Sequence, residues 1–206
     1  MPACYRRAGG KPAVSGLLVR KIGGPSVFPY QPAGLWEDSG TQHVYQQDHG
    51  EDLYRRSMYS FWRRTMPPAS MSIFDAPTRE YCRVRRERTN TPLQALALLN
   101  DPQLIECTRV LAEDLIRTHP QDKLLQLQDG FRRWTGRTAT KPEHATMDHL
   151  YSGEIARYES DPAAAQAFLE KNGERPSDPN LPAAQVVALS AVQRVLLNSA
   201  EAVLKF

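Results

Sequence analysis

The side chains in this sequence that have the chemistry to act on a ligand fall into three groups. His43, Asp48 and His49 place three metal-ligating side chains within seven positions of a polar stretch, a spacing that closes a metal site only with ligands from elsewhere. Asp75, Glu80 and Glu87 lie among arginines. A carboxylate beside a guanidinium has its pKa lowered and serves better as a counter-ion than as a general acid or base. Cys4, Cys82 and Cys107 are scattered and form neither CxxC nor CxxCH, so they predict no disulfide framework, metal cage or covalent haem site. GxSxG, HExxH, Walker and GxGxxG patterns are absent. No catalytic, metal-binding or cofactor-binding residue is assigned on these grounds.

The strongest concentration of charge is an arginine block. Residues 53–88 hold nine arginines against three carboxylates, a net +6, while the rest of the chain has 17 basic and 20 acidic residues. Its densest part gives the candidate structural or ligand-binding cluster Arg79, Arg83, Arg85, Arg86, Arg88 and Asn90. Such a run suits an acidic polymer. Arginine's planar fork equally suits internal pairing with carboxylates and carbonyls, and that scaffold reading is preferred here. Phe61 and Trp62 interleave with Arg63 and Arg64 in a way that resembles base stacking, but their helical period points to a core and weighs against nucleic acid.

The elements that must carry these residues are helices joined by proline-rich straps. Hydrophobic residues make up 41% and charged residues 24%, ordinary globular values, while 16 prolines forecast long irregular connections. No segment approaches the roughly 20 apolar residues of a membrane span, and the opening residues lack the apolar core of a signal peptide. Residues 1–13 are expected to be disordered or a non-native start. Residues 14–52 read as an irregular strap, with Gly23-Gly24-Pro25, Pro29, Pro32 and Gly34 forbidding a helix.

Residues 53–206 read as the helical body of a single domain. Tyr54, Met58, Phe61, Trp62 and Thr65 recur at helical spacing in Leu53–Thr65. Thr91, Pro92 and Gln94 form a capping-box start for a largely buried helix with Leu93, Leu96, Ala97 and Asn100 on one face. Further starts are written at Asp101-Pro102, Thr140 to Glu143 and Asp161-Pro162, and Gly136 marks a stop. A last helix from Pro182 to about Leu204 is apolar round much of its circumference, with Asn198 as a buried polar group. The class is all-α, an irregular bundle of six or seven helices with long Pro/Gly-rich straps.

The segments KIGGPSVFPYQPAGLW (21–36), LYRRSMYSFWRRTMPPASM (53–71), FDAPTREYCRVRRERTNTPLQALALLNDP (74–102) and RVLLNSAEAVLK (194–205) resemble, in order, a planctomycete-specific C-terminal domain of unknown function found in large secreted proteins. Those proteins carry a cytochrome c-like domain near their start and a second planctomycete-specific domain after it. The resemblance implies an extracytoplasmic location, periplasmic or secreted, and a non-catalytic structural or interaction role. It implies as partners the sister domain and the haem-bearing domain of the full-length protein. Haem is expected only in that separate domain, with no cofactor in this chain. Two alternatives stand beside it: a binding module for acidic or sulfated extracellular polysaccharide using aromatics such as Tyr30 and Trp36, and part of an enzyme whose site an upstream domain completes. Residues 1–13 depart from the helical text that usually precedes SGLL, so the chain reads as a fragment truncated at its N-terminus. Asn198-Ser-Ala-Glu201 stands where similar sequences read Asn-Leu-Asp-Glu, with one carboxylate fewer.

Overall fold

The computed structural model describes residues 11–36, 44–82, 84–85 and 89–203. The described residues are helical and irregular, without a β-strand. Among the described residues nine α-helices run in the order α1 (Lys11–Val14), α2 (Ala69–Ile73), α3 (Pro92–Asn100), α4 (Pro102–Thr118), α5 (Lys123–Thr135), α6 (Lys141–Ser160), α7 (Pro162–Lys171), α8 (Ala183–Leu197) and α9 (Ala200–Val203). Two compact units emerge, one of residues 11–13 and 17–97, the other of 14–16 and 98–203, so the boundary passes through α3.

The first unit is mostly strap. In place of the single helix expected over Leu53–Thr65 stand two 3-10 turns, Gly50–Tyr54 and Ser57–Tyr59, followed by extended chain. The extended chain pairs locally with the first strap: Val19 bridges Arg55 and Val27 bridges Ser60, both in parallel sense. Val27 N–H donates to the Tyr59 carbonyl and Phe61 N–H to the Val27 carbonyl, each at 2.8 Å. Arg55 shows why this arrangement wins over a helix. Its guanidinium is buried and donates to the carbonyls of Lys21, Gly23 and Pro25, while the Tyr59 ring lies 4.0 Å beneath it. Those carbonyls sit in a glycine–proline turn that cannot satisfy itself with helical bonds, and a buried carbonyl without a donor is costly.

The second unit is a helical bundle built around α8, which packs most extensively on α4 and α6. Its helix starts are local and sequence-encoded. Asp101 accepts from the Gln103 and Leu104 amides at 2.9 and 3.2 Å ahead of Pro102. Asp122 caps α5 through Leu125 N–H at 2.9 Å, and Asp161 caps α7 through Ala164 N–H at 3.0 Å. At α6 the Glu143 carboxylate accepts from both the amide and the hydroxyl of Thr140 at 2.8 Å. Arg137 beside it holds that carboxyl well below the usual range.

In α8, Val187, Leu189 and Leu197 are fully buried, each contributing about 1.5–3 kcal/mol. The core is not purely apolar. Thr108 and Ser190 hydroxyls meet at 3.1 Å, and the Trp134 indole donates to Gln193 Oε1 at 2.9 Å. That contact needs Gly130, because a Cβ there would stand 2.5 Å from Gln193 Nε2. The closing helix is shorter than expected. It stops at Leu197, where Asn198 is half-buried rather than buried and its N–H caps the Arg194 and Val195 carbonyls at 3.2 Å. Cys107 is a fully buried small hydrophobe, as its helical setting predicts.

Candidate functional site: an arginine-bearing loop and an aromatic cleft

The loop carrying the arginine run is closed at its base by three uncharged or acidic side chains. Asp75, at φ 60°, accepts from the amide and hydroxyl of Thr89 at 2.9 and 2.7 Å. Gln94, almost wholly buried, donates through Nε2 to the Ile73 carbonyl at 2.9 Å and to Thr89 Oγ1 at 2.8 Å. Half of the expected capping box therefore forms: Gln94 N–H donates to Thr91 Oγ1 at 3.3 Å, but the Gln94 side chain turns to the loop base. A buried carboxamide with acceptors at Ile73, Asp75 and Thr89 in reach gains more there than at an exposed cap.

Of the cluster singled out from the sequence, Arg79, Arg85 and Asn90 are exposed, and Arg83, Arg86 and Arg88 lie outside the described residues. Arg79 adopts φ 64°, uncommon for a non-glycine residue, and lays its guanidinium 4.4 Å over the Trp62 ring. Glu87 and His43 also lie outside the described residues. Asp48 accepts the Phe28 amide at 2.7 Å, and among the described residues no group of three His, Cys, Asp or Glu is placed to hold a metal ion.

The buried face of α3 differs from the expected one. Gln94 and Leu98 point inward, whereas Leu93 and Leu96 are each 57% exposed. The anchoring of Gln94 sets this rotation, since burying position 94 turns positions 93 and 96 out.

The first unit carries a cleft of about 390 Å³, within the size range of small-molecule sites. Phe28, Trp36 and Phe61 line it, and Tyr45 packs against the first two of these rings. Phe61 stacks on Phe28 at 4.9 Å and 22°, while Tyr45 meets Phe28 and Trp36 edge-on at 5.8 and 5.1 Å. The Tyr45 hydroxyl donates to the Pro29 carbonyl, and burial, with the Asp48 carboxylate nearby, holds that phenol above its ordinary range. Trp36 is only 8% exposed and lies beneath the Arg63 guanidinium, 4.7 Å from its ring; Phe61, 39% exposed, is the ring that faces out. Asp48, Gln46 and Arg63 line the cleft with polar groups.

A family model described as PSD1, a protein of unknown function (DUF1553), matches residues 12–151. The chain belongs to the DUF1553 family. No curated protein and no solved structure matches it. The DUF1553 match takes in the whole cleft, the arginine-bearing loop and helices α3 to α5.

Sequence reasoning missed the second unit's ionic centre. Glu106, Arg109 and Glu113 of α4 are buried together. Arg109 Nη1 donates to Glu113 Oε1 at 2.7 Å and Nη2 to the Arg175 carbonyl, while the Arg175 amide donates to Glu106 Oε1 at 2.7 Å. These charges at i, i+3 and i+7 read as a solvated stripe unless the 173–175 segment is known to lie over them. Opposite Leu104, Thr108, Leu111 and Leu115, such a stripe has the pattern of an ordinary amphipathic helix's wet face, so the sequence carries no signal of its burial.

Proposed function

We propose that this DUF1553 chain is a non-catalytic interaction domain of a larger extracytoplasmic protein, and that it docks through α3 onto the sister domain that accompanies it there. The observation that carries this reading is the outward pair Leu93 and Leu96, one turn apart on a helix whose other face is locked by Gln94. Exposed leucines clustered on a rigid element mark contact surfaces, and the helix-in-groove mode reads such i, i+3 anchors. The arginine-bearing loop borders the same helix in sequence, and its exposed Arg79 and Arg85 suit the polar rim of such an interface. The secreted, cytochrome-associated setting is supported by the resemblance of residues 21–36, 53–71, 74–102 and 194–205 to planctomycete relatives.

The buried charged groups support the same reading from the other side. Arg55 donates to strap carbonyls and Arg109 to Glu113 and the Arg175 carbonyl, so both tie the chain to itself. A catalytic group has to aim its bonding capacity at a substrate instead.

The double variant Leu93→Asp/Leu96→Asp tests the proposal. In the 206-residue chain by itself, its melting temperature is expected within about 2 °C of wild type, because exposed positions change stability little. In the longer protein the same variant is expected to uncouple this domain, seen as a separate calorimetric transition and new proteolytic nicking. A chain that unfolds by itself with the two aspartates would place the leucines in its own core and overturn the reading.

A further inference from the structure

The aromatic cleft of the first unit combines an apolar plate with fixed polar groups of both signs. Phe28 takes one side of the Phe61 ring at 4.9 Å and Trp36 stands tilted to it at 5.9 Å, while Phe61 as a residue keeps 39% exposure. Val44, 66% exposed, extends the apolar surface. The rim is held in place: Asp48 is tied to Phe28 twice, its carboxylate accepting the Phe28 amide at 2.7 Å and its own amide donating to the Phe28 carbonyl at 2.9 Å. Arg63 is held over the Trp36 ring at 4.7 Å. Rim and plate are thus set before any ligand arrives, which reduces the ordering cost of binding.

Charge decides between ligand classes. Among the described residues one carboxylate and one guanidinium line the cleft, so an anionic polymer meets Asp48 and a cationic ligand meets Arg63. A wholly apolar ligand strips water from both without replacing its hydrogen bonds, a loss of about 1–3 kcal/mol for each polar group. A pyranose ring meets all of these conditions: its C–H face lies flat on an aromatic ring, and its equatorial hydroxyls both donate and accept. We propose that the cleft binds a neutral pyranose unit of a polysaccharide, with the sugar face on Phe61 and hydroxyls hydrogen-bonded to Asp48 and Arg63. This site is separate from the leucine pair of α3, and either can fail without the other.

The test is isothermal titration of the 206-residue chain with neutral gluco-, manno-, galacto- and xylo-hexasaccharides, alongside heparin and polygalacturonate. At least one neutral hexasaccharide is expected to bind with an affinity that changes less than about twofold between about 0.05 and 0.5 M salt. Phe61→Ala is expected to weaken it by about tenfold. Asp48→Asn retains a side-chain oxygen for the Phe28 amide and so preserves the fold, and is expected to weaken binding by a similar factor. Absence of neutral binding at about 10 mM, well past the weak end of useful affinity, overturns the proposal. Binding of the acidic polymers alone, falling with salt, overturns it too, as does neutral binding that neither substitution weakens.

Discussion

Replacing Arg109 with methionine is expected to destabilise the protein by about 3–5 kcal/mol, among the largest effects any single substitution here will have. The guanidinium is fully buried between Glu113 Oε1 at 2.7 Å and Glu106 Oε1 at 3.8 Å, and it also holds the Arg175 carbonyl. Methionine preserves much of the volume, so the loss comes from what remains: a carboxylate pair in the interior whose shared cation has gone. Glu113 keeps a 3.4 Å contact to Arg117, itself 43% exposed and bridged to Asp178 at 3.2 Å, which softens the penalty on one side only. The combination Arg109→Met/Glu106→Gln/Glu113→Gln is therefore expected to recover part of the loss, because it removes the uncompensated charge along with its partner. Chemical denaturation of the three proteins decides the matter. A single variant within about 1 kcal/mol of wild type would mean that the centre is solvated and does not hold the 173–175 segment.

Gly173→Ala is expected to cost about 3 kcal/mol, from two causes acting together. The residue sits at φ 94°, where an L side chain is strained, and its added Cβ would lie 2.4 to 2.6 Å from Cδ, Cγ and Cβ of Glu106. The Glu106 side chain has no easy retreat, since its carboxylate accepts the Arg175 amide and α4 fixes its base. At about 2–4 °C per kcal/mol for a domain of this size, the melting temperature should fall by roughly 10 °C. A fall of only a degree or two would show that the segment and Glu106 readily separate. The two substitutions act on one contact, so their costs are expected to add to less than their sum.

How much of this was readable beforehand follows from the range of the forces involved. Helix starts at Asp101-Pro102, Thr140 to Glu143 and Asp161-Pro162 formed as written, because a cap and its amide lie within three residues of each other. The all-α class followed from the same signals. Where the partner lies far along the chain, local pattern misled. Leu53–Thr65 carries apolar residues at helical spacing, yet Arg55 finds its carbonyls about thirty residues upstream and Phe61 stacks on Phe28 instead of facing a neighbouring turn. Trp36, a binding aromatic only under the alternative polysaccharide-binding reading, is covered by Arg63, and Phe61 takes the outward place. On α3 the apolar run suggested burial of Leu93 and Leu96, but a single glutamine with acceptors at Ile73 and Thr89 turned the helix the other way. Glu106, Arg109 and Glu113 were invisible for the same reason: their complement is a backbone segment more than sixty residues downstream.

The docking of α3 is the claim on which the functional reading depends, and hydroxyl-radical footprinting tests it most directly. Leu93 and Leu96 should label readily in the 206-residue chain by itself, in keeping with their 57% exposure, and at least about fivefold less in the larger protein to which we propose it belongs, as expected for a desolvated interface anchor. Equal labelling in the two would contradict the account and leave α3 without a partner.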